Sequence, residues 1–106
     1  MGLTARIASA AGISLKSAGS LQLVSSKDTD AFLGAASTEH VAILGIEGFH
    51  LEGSRIVPDM SAIADFSELP RDEEFMGATI EEARTFLRSF AQADMYFDFL
   101  LDESRR

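Results

Sequence analysis

The hydrophobic period changes several times along this chain, and each change predicts an element. Val41-Ala42-Ile43-Leu44-Gly45-Ile46 is apolar on both faces, as a central strand covered on each side must be. From Glu47 the period becomes two, with Phe49 and Leu51 facing one way and His50 and Glu52 the other. Glu52-Gly53-Ser54-Arg55 carries turn chemistry, since Gly53 takes positive φ freely, and Ile56-Val57 starts a return strand. Pro58 has no amide to donate, which puts that strand at an edge or at a bulge. Alternation resumes from Met60 to Phe66, with Met60, Ala62, Ala64 and Phe66 on one side. It returns at Met95 to Asp102, where Met95, Phe97, Phe99 and Leu101 point inward and Tyr96, Asp98 and Asp102 outward.

Between these strands the period lengthens to that of a helix. From Thr79 to Gln92 the residues Ile80, Ala83, Phe86, Leu87 and Phe90 form a buried stripe, opposite Glu81, Arg84, Arg88 and Gln92. Thr79-Ile80-Glu81-Glu82 reads as a capping box that starts this helix, with two carboxylates suited to its dipole. Thr4 to Ala11 predicts a short helix stopped by Gly12, and Leu21 to Ser25 a short strand. Asp28 or Thr29 caps a helix through Thr38 whose apolar members are Ala31, Phe32, Leu33, Ala35 and Ala36. Pro70 with Arg71-Asp72-Glu73-Glu74 makes an exposed loop. The expected fold class is α+β, a small antiparallel sheet (the hairpin plus the C-terminal strand) with two or three packed helices. Residues 1–106 fit a single domain, within which 1–27 form a poorly ordered or separately packed segment.

Composition narrows the function classes. Without cysteine there is no disulfide framework, no thiol nucleophile and no Cys-ligated metal site. No run reaches the roughly 18 apolar residues of a membrane span. Residues 1–27 hold no acid, six Ser and the bases Arg6, Lys16 and Lys27. Ser9, Gly12, Ser14 and Lys16 interrupt every apolar run there, so no cleaved leader is expected and the cytoplasm is the expected location. Arg6 stands where a myristoylation signal at Gly2 would want Ser or Thr.

Charge is uneven. Residues 1–38 carry +1; residues 39–106 carry −9 despite ending on Arg105 and Arg106; the whole chain carries −8. Such a field repels nucleic-acid phosphate and anionic lipid and speeds encounter with a basic protein.

The chemistry-bearing residues are few. The two histidines, His40 and His50, read as strand-surface residues, and no Gly-x-Ser-x-Gly elbow accompanies them. His50 with Glu52 or Asp59 matches no metal-ligand spacing, so no metal or cofactor is expected. Gly45-Ile46-Glu47-Gly48 lacks the Lys-Ser/Thr of a phosphate loop, and its glycines suit a twisted or bulged strand. Asp59 and Asp65 are six apart and would share a face of a regular strand, for acid–base work or for binding.

The segments His40 to Phe49, Ile56-Val57-Pro58-Asp59-Met60 and Ile63-Ala64-Asp65-Phe66-Ser67 resemble those of small bacterial immunity proteins, the cognate inhibitors of polymorphic and contact-dependent-inhibition toxins. The resemblance spans residues 29–102 in layout. It implies a cytoplasmic, non-catalytic acidic protein that binds a basic toxin domain, often a nuclease, and occludes its active site. A nuclease must be basic to hold phosphate, so carboxylates that imitate the nucleic-acid backbone suit its inhibitor. The partner-binding candidates are Glu47, Glu52, Asp59, Asp65, Glu68, Asp72, Glu73 and Glu74, on one hairpin and the loop after it. Two other readings stay open: an acidic regulatory or scaffold module, self-associating through an edge strand, and a small ligand-binding or enzyme domain using the Asp59, Asp65 and His50 region.

Overall fold

The computed structural model describes residues 2–103; Arg105 and Arg106 of the charge count lie outside them. The elements run α1 (Leu3–Ala11), β1 (Lys16–Ala18), β2 (Leu21–Ser25), α2 (Thr29–Thr38), β3 (Val41–Glu52), β4 (Arg55–Asp65), α3 (Phe75–Arg88) and β5 (Met95–Glu103). All strand pairs are antiparallel, in the order β1-β2-β5-β3-β4. The fold is α+β, as the hydrophobic pattern implies.

β3 is paired on both sides, with β5 from Val41↔Glu103 to His50↔Met95 and with β4 from Gly45↔Asp65 to Glu52↔Arg55. Both neighbours satisfy its backbone, and along its apolar run Val41, Ala42, Ile43 and Ile46 are all buried. One face of the sheet presents Val24, Ile46, Ala62, Met95, Phe97 and Phe99 to the helices. The helices answer with Ile7 and Ala8 of α1, Phe32, Leu33 and Ala36 of α2, and Ile80, Ala83 and Leu87 of α3. Phe32 and Phe97 are 0% and 1% exposed, and burial of each stabilises the fold by about 1.5–3 kcal/mol. The first 27 residues, for which separate packing was one expectation, supply Ile7, Ala8 and Val24 to this shared core. Gly12 ends α1 at φ 71°, and the amides of Gly12 and Ile13 close on Ser9 and Ala8 carbonyls.

Two expectations are corrected. The first concerns α3, which starts at Phe75, four residues before the anticipated capping box, and ends at Arg88. Thr79 is inside the helix and fully buried. Its hydroxyl donates to the Met76 carbonyl (2.8 Å) and accepts the Ile43 amide (2.9 Å). The β3–β4 ladder stops at Gly45, so Ile43 has no β4 partner and the threonine takes that place. The helix entry is instead closed at Asp72, whose Oδ1 accepts the Glu74 amide (2.9 Å) and whose carbonyl accepts the Phe75 amide (3.0 Å).

The second correction concerns β4. Glu47 pairs with Ile63 but Phe49 pairs with Pro58, so residues 59–62 all lie opposite Gly48. A Cβ at Gly48 would come within 2.7 Å of Ala62 Cβ, 2.8 Å of Met95 Cε and 3.1 Å of Phe97 Cε1. The bulge ejects Met60, which is 78% exposed rather than sharing the core side with Ala62 and Phe66. It also separates Asp59 from Asp65. Asp59 meets His50, which pairs with inward-facing Met95, whereas Asp65 lies in the row of outward-facing Leu100.

One element is added: β1 pairs with the expected strand β2 in a tight hairpin around Gly19 (φ 60°) and Ser20, which extends the sheet beyond the long hairpin and β5.

Two predictions follow from this packing. Gly48→Ala is expected to destabilise the protein by about 1–3 kcal/mol, because three buried neighbours must shift to admit one methyl. Gly77→Ala, where nothing lies within 4 Å, is the control for a glycine without that crowding. Equal chemical-denaturation midpoints for the two would contradict the packing at position 48. Thr79→Val keeps the volume but orphans the Ile43 amide, and should cost about 1–3 kcal/mol in the same measurement. Hydrogen exchange at the Ile43 amide should accelerate with it.

Candidate partner-binding site

The two faces of the sheet differ sharply. The helices cover one; on the other, Leu100 (64%), Ile63 (47%) and Leu51 (41%) remain exposed, although Phe49 is buried. Reading across β4, β3 and β5, this open face is built of rows. Asp65, Gly45 and Leu100 form one row, Ile63, Glu47 and Asp98 the next, and Pro58, Phe49 and Tyr96 a third. Gly45 leaves a dip at the centre of the first row. A concavity of about 400 Å³ opens there, bordered by Leu44, Glu47, Asp65, Ser67, Asp98 and Leu100.

Glu47 and Asp98 are directly opposed across adjacent strands. Asp98 is half-buried, and that burial, followed by the negative charge of Glu47, pushes its carboxyl above the usual carboxylate range. Like charges in cross-strand register cost stability. Asp98 reads as outward-facing from alternation alone, but its place beside Glu47 is a matter of register. That register depends on an irregularity in the β3–β5 ladder between Ile43 and Gly45, which the sequence signals only through Gly45 itself.

The eight sequence-derived candidates fall into three groups, with Asp65 in two of them. Glu47 and Asp65 border the concavity. Glu52, at the hairpin tip, and Glu68, Glu73 and Glu74, between β4 and α3, are exposed. Asp59, Asp65 and Asp72 each spend one oxygen on the chain two residues ahead. Asp59 Oδ1 accepts the Ser61 amide (2.9 Å) and hydroxyl (2.7 Å), and Asp65 Oδ1 accepts those of Ser67 (2.9 and 2.6 Å). Asp72 Oδ1 takes the Glu74 amide. The Ser61 hydroxyl and amide, with His50, hold Asp59 below the usual carboxylate range, and the Ser67 hydroxyl and amide do the same for Asp65. The repeated Asp-x-Ser is thus turn chemistry at both sites.

His50 Nε2 donates to Asp59 Oδ2 at 2.6 Å, joining the hairpin to the bulge. His40 sits elsewhere, exposed at φ 59° in the junction between α2 and β3. Among the described residues no group of three or more His, Cys, Asp or Glu is placed to hold a metal ion. No helix among them is long and apolar enough to cross a membrane.

Three of the five described arginines form ion pairs, none of them with these carboxylates; Arg55, in register with Glu52 at the hairpin tip, and Arg88 form none among the described residues. Arg6 pairs with Glu39 and Glu103, Arg71 with Asp102, and Arg84 with Asp30 and Glu81. Among the described residues, none of the eight candidates, nor Asp98, has a Lys or Arg ion-pair partner. Lys16 stands 5.8 Å over the Tyr96 ring and marks the β1 side of the open face. No protein-family model matches this chain, and no curated protein sequence matches it.

The raised Asp98 carboxyl has a sign that can be checked. The folded state holds the Asp98 proton more tightly than the unfolded chain does, so stability falls as pH rises from the ordinary carboxylate value of 3.8 through the raised folded value. Asp98→Asn should therefore be more stable than the parent at pH 7, by about 0.2–1 kcal/mol given the solvent exposure of the site. The advantage should shrink as the pH is lowered toward 3.8. Melting curves of both proteins across that range provide the test, and a pH-independent difference would contradict the coupling.

Proposed function

We propose that this chain is a binding protein for a basic protein partner, and that it acts as an immunity-type inhibitor that occludes a toxin domain. The observation that carries this reading is the unneutralised set of carboxylates on the β3–β4 hairpin, the following loop and the open sheet face. None of these carboxylates has a Lys or Arg ion-pair partner among the described residues, whereas Arg6, Arg71 and Arg84 pair with other acids. Net charge for solubility alone needs no such segregation, whereas an inhibitor of a phosphate-handling enzyme gains both encounter rate and register from it. The commitment of Asp59 and Asp65 to their own serines favours binding over acid–base chemistry at those positions. The resemblance of residues 29–102 to immunity proteins points the same way. The cytoplasm, where such a toxin would have to be met, is part of this proposal.

The test uses carboxylates that make no hydrogen bond among the described residues, so that the fold survives. A basic toxin-like protein encoded beside this chain is the partner to co-express. Reversal of Glu52, Glu68 and Glu73 to Lys should slow association with it by about tenfold or more, and raised salt should do likewise. Glu82→Lys, on the exposed side of α3, should change the rate little. An association rate indifferent to both salt and the triple reversal would refute the electrostatic reading.

A further inference from the structure

We infer that the open face of the sheet is the docking surface for an amphipathic helix of the partner, one that places a cationic residue between apolar ones along β3. This rests on the basic-partner reading and adds which surface is used and what lies on it.

The open face is apolar enough to be an interface. Leu51, Ile63 and Leu100, three of the four exposed large hydrophobic residues among those described, lie on it, and Leu51 belongs with Phe49 on the outward side of β3. In a layered fold such a face is covered by helices, as the opposite face already is. Its charge selects the occupant. Glu47, Asp65 and Asp98 lie among the apolar residues, so a second copy of this chain would bring carboxylates against carboxylates. A cationic partner residue would relieve the repulsion between Glu47 and Asp98.

The spacing selects the helix. Successive rows on one face of β3 are about 6.8 Å apart, and residues four apart on a helix rise about 6.0 Å, so the two match over three rows. An apolar side chain then fills the dip over Gly45 beside Leu100. A basic residue four positions along lies between Glu47 and Asp98. A second apolar residue, four further, meets Tyr96, beside the buried Phe49. The exposed carboxylates of the hairpin and the loop before α3 form the rim that steers approach, outside the buried contact.

The probe is a blocked synthetic helix with Leu, Arg and Leu at positions i, i+4 and i+8, titrated into the full-length protein and followed by methyl NMR. Two further helices replace the Arg by citrulline or both Leu by Ser. The Leu–Arg–Leu helix should shift the methyl signals of Ile63, Leu100 and Leu51, and should lower the titration midpoint of the Asp98 carboxyl. The citrulline and serine helices should bind about tenfold or more weakly. The double variant Glu47→Gln with Asp98→Asn should bind the Arg helix equally poorly while melting higher than the parent, so its loss of binding cannot come from unfolding. Leu100→Ser, at an exposed position, should weaken binding without lowering the melting temperature appreciably.

Shifts confined to residues 66–74 would overturn the sheet face as the docking surface and leave the basic-partner reading standing. So would binding that is unaffected by the double variant. Absence of any shift with the Arg helix at millimolar concentration would also overturn it. Salt-independent association of the co-expressed toxin-like protein is a separate result, and would strike the underlying reading instead.

Discussion

At position 48 the central strand must pass the core without a side chain. Ala62, Met95 and Phe97 all come closer there than a Cβ tolerates, so β3, β4 and β5 are drawn together over one bare backbone site. The interior behind it is as dense as a crystal, and a methyl group has nowhere to go. Residues 59–62, crowded opposite this single glycine, leave the regular ladder. Their polar groups are then satisfied locally: Ser61 closes on Asp59, and Asp59 reaches His50. Gly45, three residues earlier, has the complementary effect on the other face, where the missing side chain makes the dip bordered by Glu47, Asp65 and Asp98. Two glycines in one strand thus shape both faces of the sheet.

Much of this architecture is legible in the residues. Period-two runs locate β3 and β5 and their inward rows, because a strand at a core–solvent boundary must alternate. Gly12 and Gly53 mark a helix stop and a hairpin tip, where both adopt positive φ. What stays hidden depends on long-range partners. Thr79 carries every local sign of a helix cap and is instead spent on Ile43, 36 residues away in the chain. Met60 keeps the alternation of Ala62 and Phe66 and is nevertheless expelled, because Gly48 on a different strand decides the register. Of the acidic candidates, Glu47 and Asp65 border the open-face concavity as their hairpin placement allowed. Asp98, distant in sequence and belonging to another element, joins them only through β3–β5 pairing.

The distribution of arginine is as informative as that of the acids. Arg6 and Arg84 tie carboxylates on or beside the helices and at the end of β5, binding α1 to β5 and α3 to α2 at exposed positions. Such surface pairs add little stability individually. Their larger effect is on the field: they offset negative charge around the helical layer, whereas the candidate carboxylates of the hairpin, the acidic loop and the open face have no Lys or Arg ion-pair partner among the described residues. Carboxylates without a cationic neighbour contribute more to the long-range field than paired ones do.

The irregular β4 has one more consequence. It is the outermost strand at its end of the sheet, and a long straight outer strand would offer its free amides and carbonyls as a template for another chain. Pro58 removes one of those amides, and the excursion at residues 59–62 breaks the row into two short pieces, Arg55 to Val57 and Ile63 to Asp65. Neither piece is long enough to nucleate the continuous stacking of cross-β fibrils. That edge of the sheet is thus a poor template for strand addition by a second copy of the chain.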